Sequence, residues 1–413
     1  MPAVLVWVIA AATIAGILFR PRNWPEAVWA CAGAFLLVAC GLLPLGDAGA
    51  AILKGTDVYL FLTGMMLLAD TARREGVFDW MAALAVRAAR GSRARLFLLV
   101  YLVGTGVTVF LSNDATAVVL TPAVYAAVKR ARGDARPYLF ACALIANAAS
   151  FVLPISNPAN LVVFGKHLPP LLPWLRLFAL PSIASIVVTY AALRLFFRRS
   201  LTGNVDPERE RPGLSDAGRR AIWGIGVTGA VLIVASSLGA DLGLPTCLAA
   251  IVSLAFATRA DARKSWEIAR EISWSVLPMV AGLFVLVAAI NRAGASGWLA
   301  ATIRQFVGLP PWQGSLLSSF GIAALSNLMN NLPSGLLAGS ALQNEAVAAH
   351  IRNAVMVGVD LGPNLSVTGS LATVLWLIAL RREGYRVATF DFLECGLIAM
   401  PPALLLATLA LLV

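Results

Sequence analysis

The chain has 413 residues, of which 59% are hydrophobic and 13% charged, with a mean hydropathy of +0.82. That balance excludes a soluble globular domain and leaves a polytopic membrane protein. The formal net charge of +11 does not mark a nucleic-acid binder, because the Lys and Arg residues fall between apolar segments, as the positive-inside rule requires.

Apolar runs on the scale of a membrane-crossing helix, about 20 residues, cover 4–19, 27–43, 58–69, 140–164, 175–197, 221–238, 244–257, 272–290, 355–380 and 392–413. The first lacks both a basic start and a small-residue cleavage site, so it reads as a retained span and not a signal peptide. Segments 77–89 and 296–306 each open on an aromatic-containing turn and carry Arg, the pattern of helices lying in the membrane interface. Segment 96–111 has 16 residues, about 24 Å as a helix, which falls short of a hydrocarbon core of about 30 Å. It meets the polar triplet Ser112, Asn113 and Asp114, then a second apolar arm, 115–128. Arg87, Arg90, Arg93 and Arg95 precede it, and Lys129, Arg130, Arg132 and Arg136 follow it. Both ends therefore belong in the cytoplasm, and 96–128 reads as a re-entrant hairpin with its tip at membrane depth. Segment 315–342, around Ser326 and Asn327, reads as a second hairpin with few flanking bases, entering from the opposite side.

The two halves are related. Positions 64–83 align without gaps on 282–301 at an offset of 218, with identities at Gly64/Gly282, Leu68/Leu286, Arg74/Arg292, Gly76/Gly294, Trp80/Trp298, Ala82/Ala300 and Ala83/Ala301. The Ser-Asn pairs Ser112/Ser326 and Asn113/Asn327 recur at an offset of 214, which a four-residue deletion between the two blocks would reconcile. With each hairpin set aside, five crossings remain per half. Five is odd, so the second repeat is inverted. The expected organisation is a first repeat over 1–197, a mobile cytoplasmic linker over 198–220 and a second repeat over 221–413, with both termini outside.

Polar residues at membrane depth are tolerated only against protein or a water-filled cavity, and they mark substrate and ion paths. The strings LSNDATA (111–117), ISNPAN (155–160), LSNLMNN (325–331) and GPNLSVTGS (362–370) break apolar segments at two places in each half. They supply Ser112, Asn113, Thr116, Asn157, Asn160, Ser326, Asn327, Asn330, Asn331 and Asn364 as candidate substrate ligands. Amides both donate and accept hydrogen bonds, and half-helix N-termini after each break add positive dipole ends. Of the 21 acidic residues, only Asp114 and Asp360 lie at such breaks. Both are candidate proton carriers, although Asp114 could also serve as the N-cap of the second hairpin arm. The five cysteines sit in apolar segments with no metal-binding spacing, and the two histidines lie near segment ends. No metal site and no cofactor is expected.

The strings SNDATAVVLTP (112–122), LPISNPANLVVFG (153–165), LSNLMNNLPSGL (325–336) and GVDLGPNLSVTGSLATVLWL (358–377) resemble the ArsB-type arsenite/antimonite efflux pumps of bacteria, within the ion transporter superfamily. The resemblance covers essentially the whole chain. It implies export of arsenite or antimonite hydroxides in exchange for protons across the inner membrane, by a secondary transporter and not an enzyme. It also implies that a cytoplasmic arsenite-stimulated ATPase docks on some members, for which 259–270 would be the surface, and that scaffolds of this type often form homodimers. Sodium–dicarboxylate members of the superfamily carry Ser-Asn-Thr at both tips, whereas this chain has Ser-Asn-Asp and Ser-Asn-Leu. The competing readings are a proton- or sodium-coupled dicarboxylate or sulfate carrier on the same fold, and the membrane subunit of an ATP-driven pump.

Overall fold

The computed structural model describes residues 2–206, 213–343 and 347–413. Within them the chain is helical, with a single isolated bridge, Ser92 to Asn204, as its extended pairing. The first half contains α1 (Pro2–Phe19), α2 (Glu26–Ala39), α3 (Leu45–Lys54), α4 (Thr56–Arg74), α5 (Val77–Ala88), α6 (Arg93–Phe110), α7 (Asn113–Ala115), α8 (Thr121–Arg130), α9 (Arg136–Ala148), α10 (Pro158–Phe164) and α11 (Leu171–Phe196). The second contains α12 (Asp216–Ser237), α13 (Gly243–Thr258), α14 (Ala262–Glu271), α15 (Val276–Arg292), α16 (Ala295–Val307), α17 (Pro311–Met329), α18 (Asn331–Gln343), α19 (Ala349–Leu361), α20 (Leu371–Arg382) and α21 (Thr389–Leu409).

The order of elements repeats, and so do the contacts, in swapped form. Helix α4 packs on α13 while α15 packs on α2; α10 packs on α18 while α20 packs on α8 and the turn before it; α11 and α21 pack on each other. Each half therefore completes its partner. Two close approaches fix the swap. A Cβ on Gly64 of α4 would lie 2.7 Å from the carbonyl carbon of Thr246 in α13, and one on Gly282 of α15 would lie 2.8 Å from that of Ala30 in α2. Small residues are what let helix backbones meet this closely in a membrane protein. At the far ends of the same helices, Arg74 pairs with Glu271 of α14, and Arg292 pairs with Asp47 of α3 at 2.6 Å.

Length and composition make α6, α11, α12 and α21 long and apolar enough to cross a membrane, and the bent pairs α3–α4 (45°) and α14–α15 (42°) also pass that test. Helices α1, α2 and α13 are shorter apolar helices. Helices α9 and α10, like α19 and α20, are two pieces of one interrupted segment and sit at the centre, with every residue from Pro137 to Ala148 buried. Setting aside α6 as a hairpin arm and the short helices α5 and α16 that precede the hairpins, ten segments remain outside the hairpins among the described residues: α1, α2, α3–α4, α9–α10, α11 and their five counterparts.

Helix α6 does not continue past Phe110. The chain reverses at Ser112, and Thr116 Oγ1 returns to within 2.8 Å of Thr108 Oγ1. In the second hairpin Ser334 Oγ returns to within 2.8 Å of Ser326 Oγ. The tips are Ser112 (φ 134°) and Asn330 (φ 77°), two non-glycine residues held in the left-handed region. These pairs are all 218 residues apart, so the offset of the first block continues through the hairpins. This corrects the register expected from the repeated Ser-Asn strings: Ser112 corresponds to Asn330 and Asn113 to Asn331, with no deletion between the blocks. Ser326 corresponds to Thr108, and Asn327 to Val109.

Two further differences from the sequence reading have local causes. The linker was expected to be mobile over 198–220, yet its first part is pinned to the base of the first hairpin: Val205 N–H donates to Gly91 O, Asp206 N–H to Ala131 O and Arg93 Nε to Asn204 O. Helix α12 opens within that stretch at Asp216, capped by Ser215; residues 207–212 lie outside the described residues. In the first hairpin the helix passes through a five-residue π turn, Thr116–Leu120. Pro122 follows it and has no N–H to give to the ladder, whereas its counterpart Ser340 does, and α18 stays regular.

The Gly64 contact yields a direct test. Gly64→Val should destabilise the protein by at least about 1–3 kcal/mol, read as a lowered thermal midpoint in detergent. Gly106→Ala, whose methyl meets nothing within 4 Å, should leave the midpoint at or slightly above the wild-type value.

Candidate substrate site

Four helix beginnings converge on one cleft. Asn113 and Asp114 open the second arm of the first hairpin, Asn157 and Pro158 open α10, Asn331 and Leu332 open α18, and Leu371 and Ala372 open α20. Leu62 of α4 and Val276 and Val280 of α15 complete the lining of the cleft, whose non-atom space of about 310 Å³ includes open solvent. Asn113/Asn331 and Leu62/Val280 are both pairs at the offset of 218, so the cleft lies where the two repeats meet. A helix beginning presents N–H groups that have no partner within the helix, which suits oxygen atoms of a substrate. Among the described residues, no Lys, Arg or His lines the cleft.

The hydrogen bonds separate free groups from occupied ones. Asn113 Oδ1 accepts from Asp114 N–H at 2.9 Å, while its Nδ2 has no partner among the described residues. The Asn331 carboxamide bonds to nothing among the described residues, and neither does the Asp114 carboxylate. Ser112, and not Asp114, caps the second arm, its Oγ accepting from Ala115 N–H at 3.4 Å. The carboxylate is thus not needed as a cap. Asn157 lines the cleft with both ends occupied: Oδ1 caps α10 through Ala159 N–H at 3.0 Å, and Nδ2 donates to Asp360 Oδ1 at 2.8 Å.

The remaining candidates serve the breaks themselves. Thr116 and Ser326 bond inside their hairpins. Asn160 Nδ2 meets the carbonyls of Ser150, Leu153 and Pro154 at 3.0–3.2 Å. Asn327 Nδ2 meets those of Ala323 and Gly362, and its Oδ1 accepts from Ser366 Oγ at 2.6 Å. Asn330 donates to Thr368 O and accepts from Leu332 N–H, and it borders a second, largely apolar cavity against α1 and α15. Asn364 is fully buried, donating to Leu144 O and accepting from Asn147 Nδ2 at 3.0 Å. Asp360 is also fully buried and does not line the cleft.

Sequence reasoning missed Asn147. It occupies the last turn of α9, 213 residues before Asp360 in the last turn of α19, and its Nδ2 also reaches Thr373 Oγ1 at 3.4 Å. The same offset relates Asn157 to Ser370, the caps of α10 and α20. The broken helices thus cross-bond, each reaching from the end of its first piece to the opening of the other's second. A single amide in the apolar run 139–149 was the signal available in the sequence.

A pair of interrupted helices and two hairpin tips around a polar cleft is an arrangement found in membrane transporters. The chain belongs to the citrate transporter family, whose model matches residues 5–361. It is similar to the arsenical pump membrane protein of Escherichia coli (26% identical over 430 residues, 98% of each chain), to that of Yersinia enterocolitica (27% over 423 residues, 95% of each) and to the putative arsenical pump membrane protein of Bacillus subtilis strain 168 (23% over 420 residues, 94% of each). The ArsB-type resemblance of the four strings thus extends along the chain. The YdaH transporter of Alcanivorax borkumensis shares the fold, with a TM-score of 0.58 at 16% identity, over 91% of this chain and 89% of that one.

Asn157→Ala should cost about 1–3 kcal/mol of stability, because it strips the donor from buried Asp360 and the cap from α10. Asn331→Ala removes no protein hydrogen bond and should leave the thermal midpoint in detergent unchanged.

Proposed function

We propose that this chain exports trivalent arsenic, and by the same chemistry antimony, as the neutral hydroxide in exchange for protons across the bacterial inner membrane. The observation that carries this reading is the donor set of the cleft among the described residues: free amide groups on Asn113 and Asn331, one free carboxylate on Asp114, and no cationic side chain. Arsenous acid is a neutral pyramidal trihydroxide near neutral pH. Its O–H groups can donate to amide and carboxylate oxygens, and its oxygens can accept from amide and helix N–H groups, so the site replaces its hydration shell without having to neutralise a charge. The relatives named as arsenical pumps support the same substrate. Citrate, which gives the family its name, carries several carboxylates at neutral pH. In this cleft it would meet Asp114 and no basic residue, a repulsive arrangement.

Asp114 carries the proton in this reading. Deprotonated, it accepts a hydrogen bond from a substrate hydroxyl loaded from the cytoplasm. Protonated from outside, it loses that acceptor and lets the substrate go, and the proton is delivered inward on the return. The loops around Arg74 and Glu271 then lie in the cytoplasm, those around Arg292 and Asp47 outside, the two hairpins enter from opposite sides, and both termini face outward. The ion pairs that join these loops across the repeats agree with that assignment, as does Lys264 with Glu75 at 3.3 Å.

The test is arsenite accumulation in cells lacking their own efflux system. Expression should lower accumulation, and a protonophore should restore it. Lowered accumulation that survives the protonophore would point to an ATP-driven partner instead. Asp114→Asn should reach the membrane, keep the wild-type thermal midpoint and abolish pH-driven arsenite exchange in proteoliposomes. Wild-type exchange in that variant would remove Asp114 from the proton path.

A further inference from the structure

The side chains around the cleft fall into two chemically distinct sets. The polar ones, Asn113, Asp114, Asn157 and Asn331, all stand at the four helix beginnings. Helices α4 and α15 give the cleft Leu62, Val276 and Val280, all apolar. The two helices touch each other, and α4 packs on α10 while α15 packs on α18, so their side chains make one wall against the helix beginnings. That wall is buried, with Leu62 4%, Val276 8% and Val280 0% exposed. Its backbone is spent as well. Leu62 and Val280 lie within regular helix, and Val276 N–H donates to Ser273 O at 3.0 Å. Leu62 and Val280 correspond at the offset of 218, so both repeats supply the same chemistry here, whereas Asp114 and Leu332 differ.

A hydroxyl group turned against this wall would be buried without a partner, which is costly. The shape of the substrate makes that cost selective. In arsenous acid the three hydroxyls share the base of a pyramid, and the arsenic lone pair occupies the apex, which needs no hydrogen bond. A tetrahedral oxyacid carries a fourth oxygen where that apex lies. For arsenate and phosphate, negative charge against Asp114 also opposes entry. A neutral tetrahydroxide differs from arsenous acid in the fourth hydroxyl alone.

We propose that Leu62, Val276 and Val280 determine the specificity of the cleft: they face the bare apex of a pyramidal trihydroxide and reject a fourth oxygen. The inference rests on the export reading and adds how the site tells trivalent from tetrahedral oxyacids. Selection in this assignment is by hydrogen-bonding capacity and not by volume. An apolar pocket rejects an added hydroxyl by about a hundredfold at most, so the expected discrimination is about 10- to 100-fold.

The experiment is pH-driven exchange of radioactive arsenite in proteoliposomes of the full-length protein, with germanic acid, a neutral tetrahydroxide near neutral pH, as competitor. The readout is the ratio of the inhibition constant of germanic acid to the KM for arsenite. For wild type it should be about 10 to 100. Val280→Thr puts a hydroxyl on the wall in a setting the fold already accommodates, since Thr63 and Thr71 of α4 donate to the carbonyl four residues earlier at 2.8 and 2.7 Å. Its oxygen remains free to accept, and the ratio should fall about tenfold. Leu62→Asn, on the other helix, should lower the ratio in the same way. Val280→Ala, which adds room and no polar atom, should keep the wild-type ratio. The proposal is overturned if germanic acid inhibits wild type at the concentration at which arsenite half-saturates it. It is also overturned if Val280→Ala lowers the ratio as far as Val280→Thr does, which makes volume the selector, or if both polar variants exchange arsenite and keep the wild-type ratio. Folded wild type that exchanges no arsenite would instead remove the export reading, and this assignment with it, a result distinct from the other three.

Discussion

Four helix breaks at the centre of the fold set the terms for everything around them. Each break frees backbone N–H and C=O groups in a region without bulk water, where an unpaired group costs several kcal/mol. The protein meets that cost with carboxamides. Asn160 takes three carbonyls, Asn327 two carbonyls and a hydroxyl, Asn330 a carbonyl and an N–H, and Asn364 a carbonyl and the Asn147 amide. The dense Asn content of the polar strings is in large part this structural obligation. What is left after it, on Asn113, Asn331 and Asp114, is the hydrogen-bonding capacity that stays free in the cleft.

The two repeats are related closely enough that each departure from equivalence stands out. Asp114 faces Leu332, its counterpart, across the cleft register. Asp360 has Asn147 as its counterpart. Pro122, which produces the π turn, has Ser340. A symmetric scaffold provides two tips and two crossings, which lets the whole site form between the halves. Chemistry that needs one charge at one place comes from breaking that symmetry. A carboxylate at both tips would place two like charges against one small cleft.

Strain is concentrated at the same places. Ser112 and Asn330 hold left-handed backbone without glycine, a conformation that costs on the order of 1–3 kcal/mol each and persists only when surroundings over-determine it. Here the surroundings are the i to i+8 hydroxyl pairs, Thr108 with Thr116 and Ser326 with Ser334, which lock each reversal. The turn then aims the following residue, Asn113 or Asn331, into the cleft.

Much of this was legible from residues alone. Composition determined a polytopic membrane protein, and polar strings in apolar runs marked all four breaks and the residues with a free group in the cleft; length did not separate the first hairpin arm from a crossing, since α6 gains three residues at its start and is itself long and apolar enough to span. The gapless block from Gly64/Gly282 established the duplication and its offset. What the sequence could not decide was which of many similar amides does which job. The repeated Ser-Asn letters suggested that Asn113 matches Asn327. The folded chain matches it with Asn331, because the point of reversal is chosen by the hydroxyl pairs and the backbone tip and not by the letters around it. Asn147, a lone amide in an apolar helix, has meaning only against Asn364 and Thr373, more than 200 residues away. Identity of residue types is local information; which hydrogen-bonding capacity remains unspent depends on partners brought together only by the crossing of the two halves.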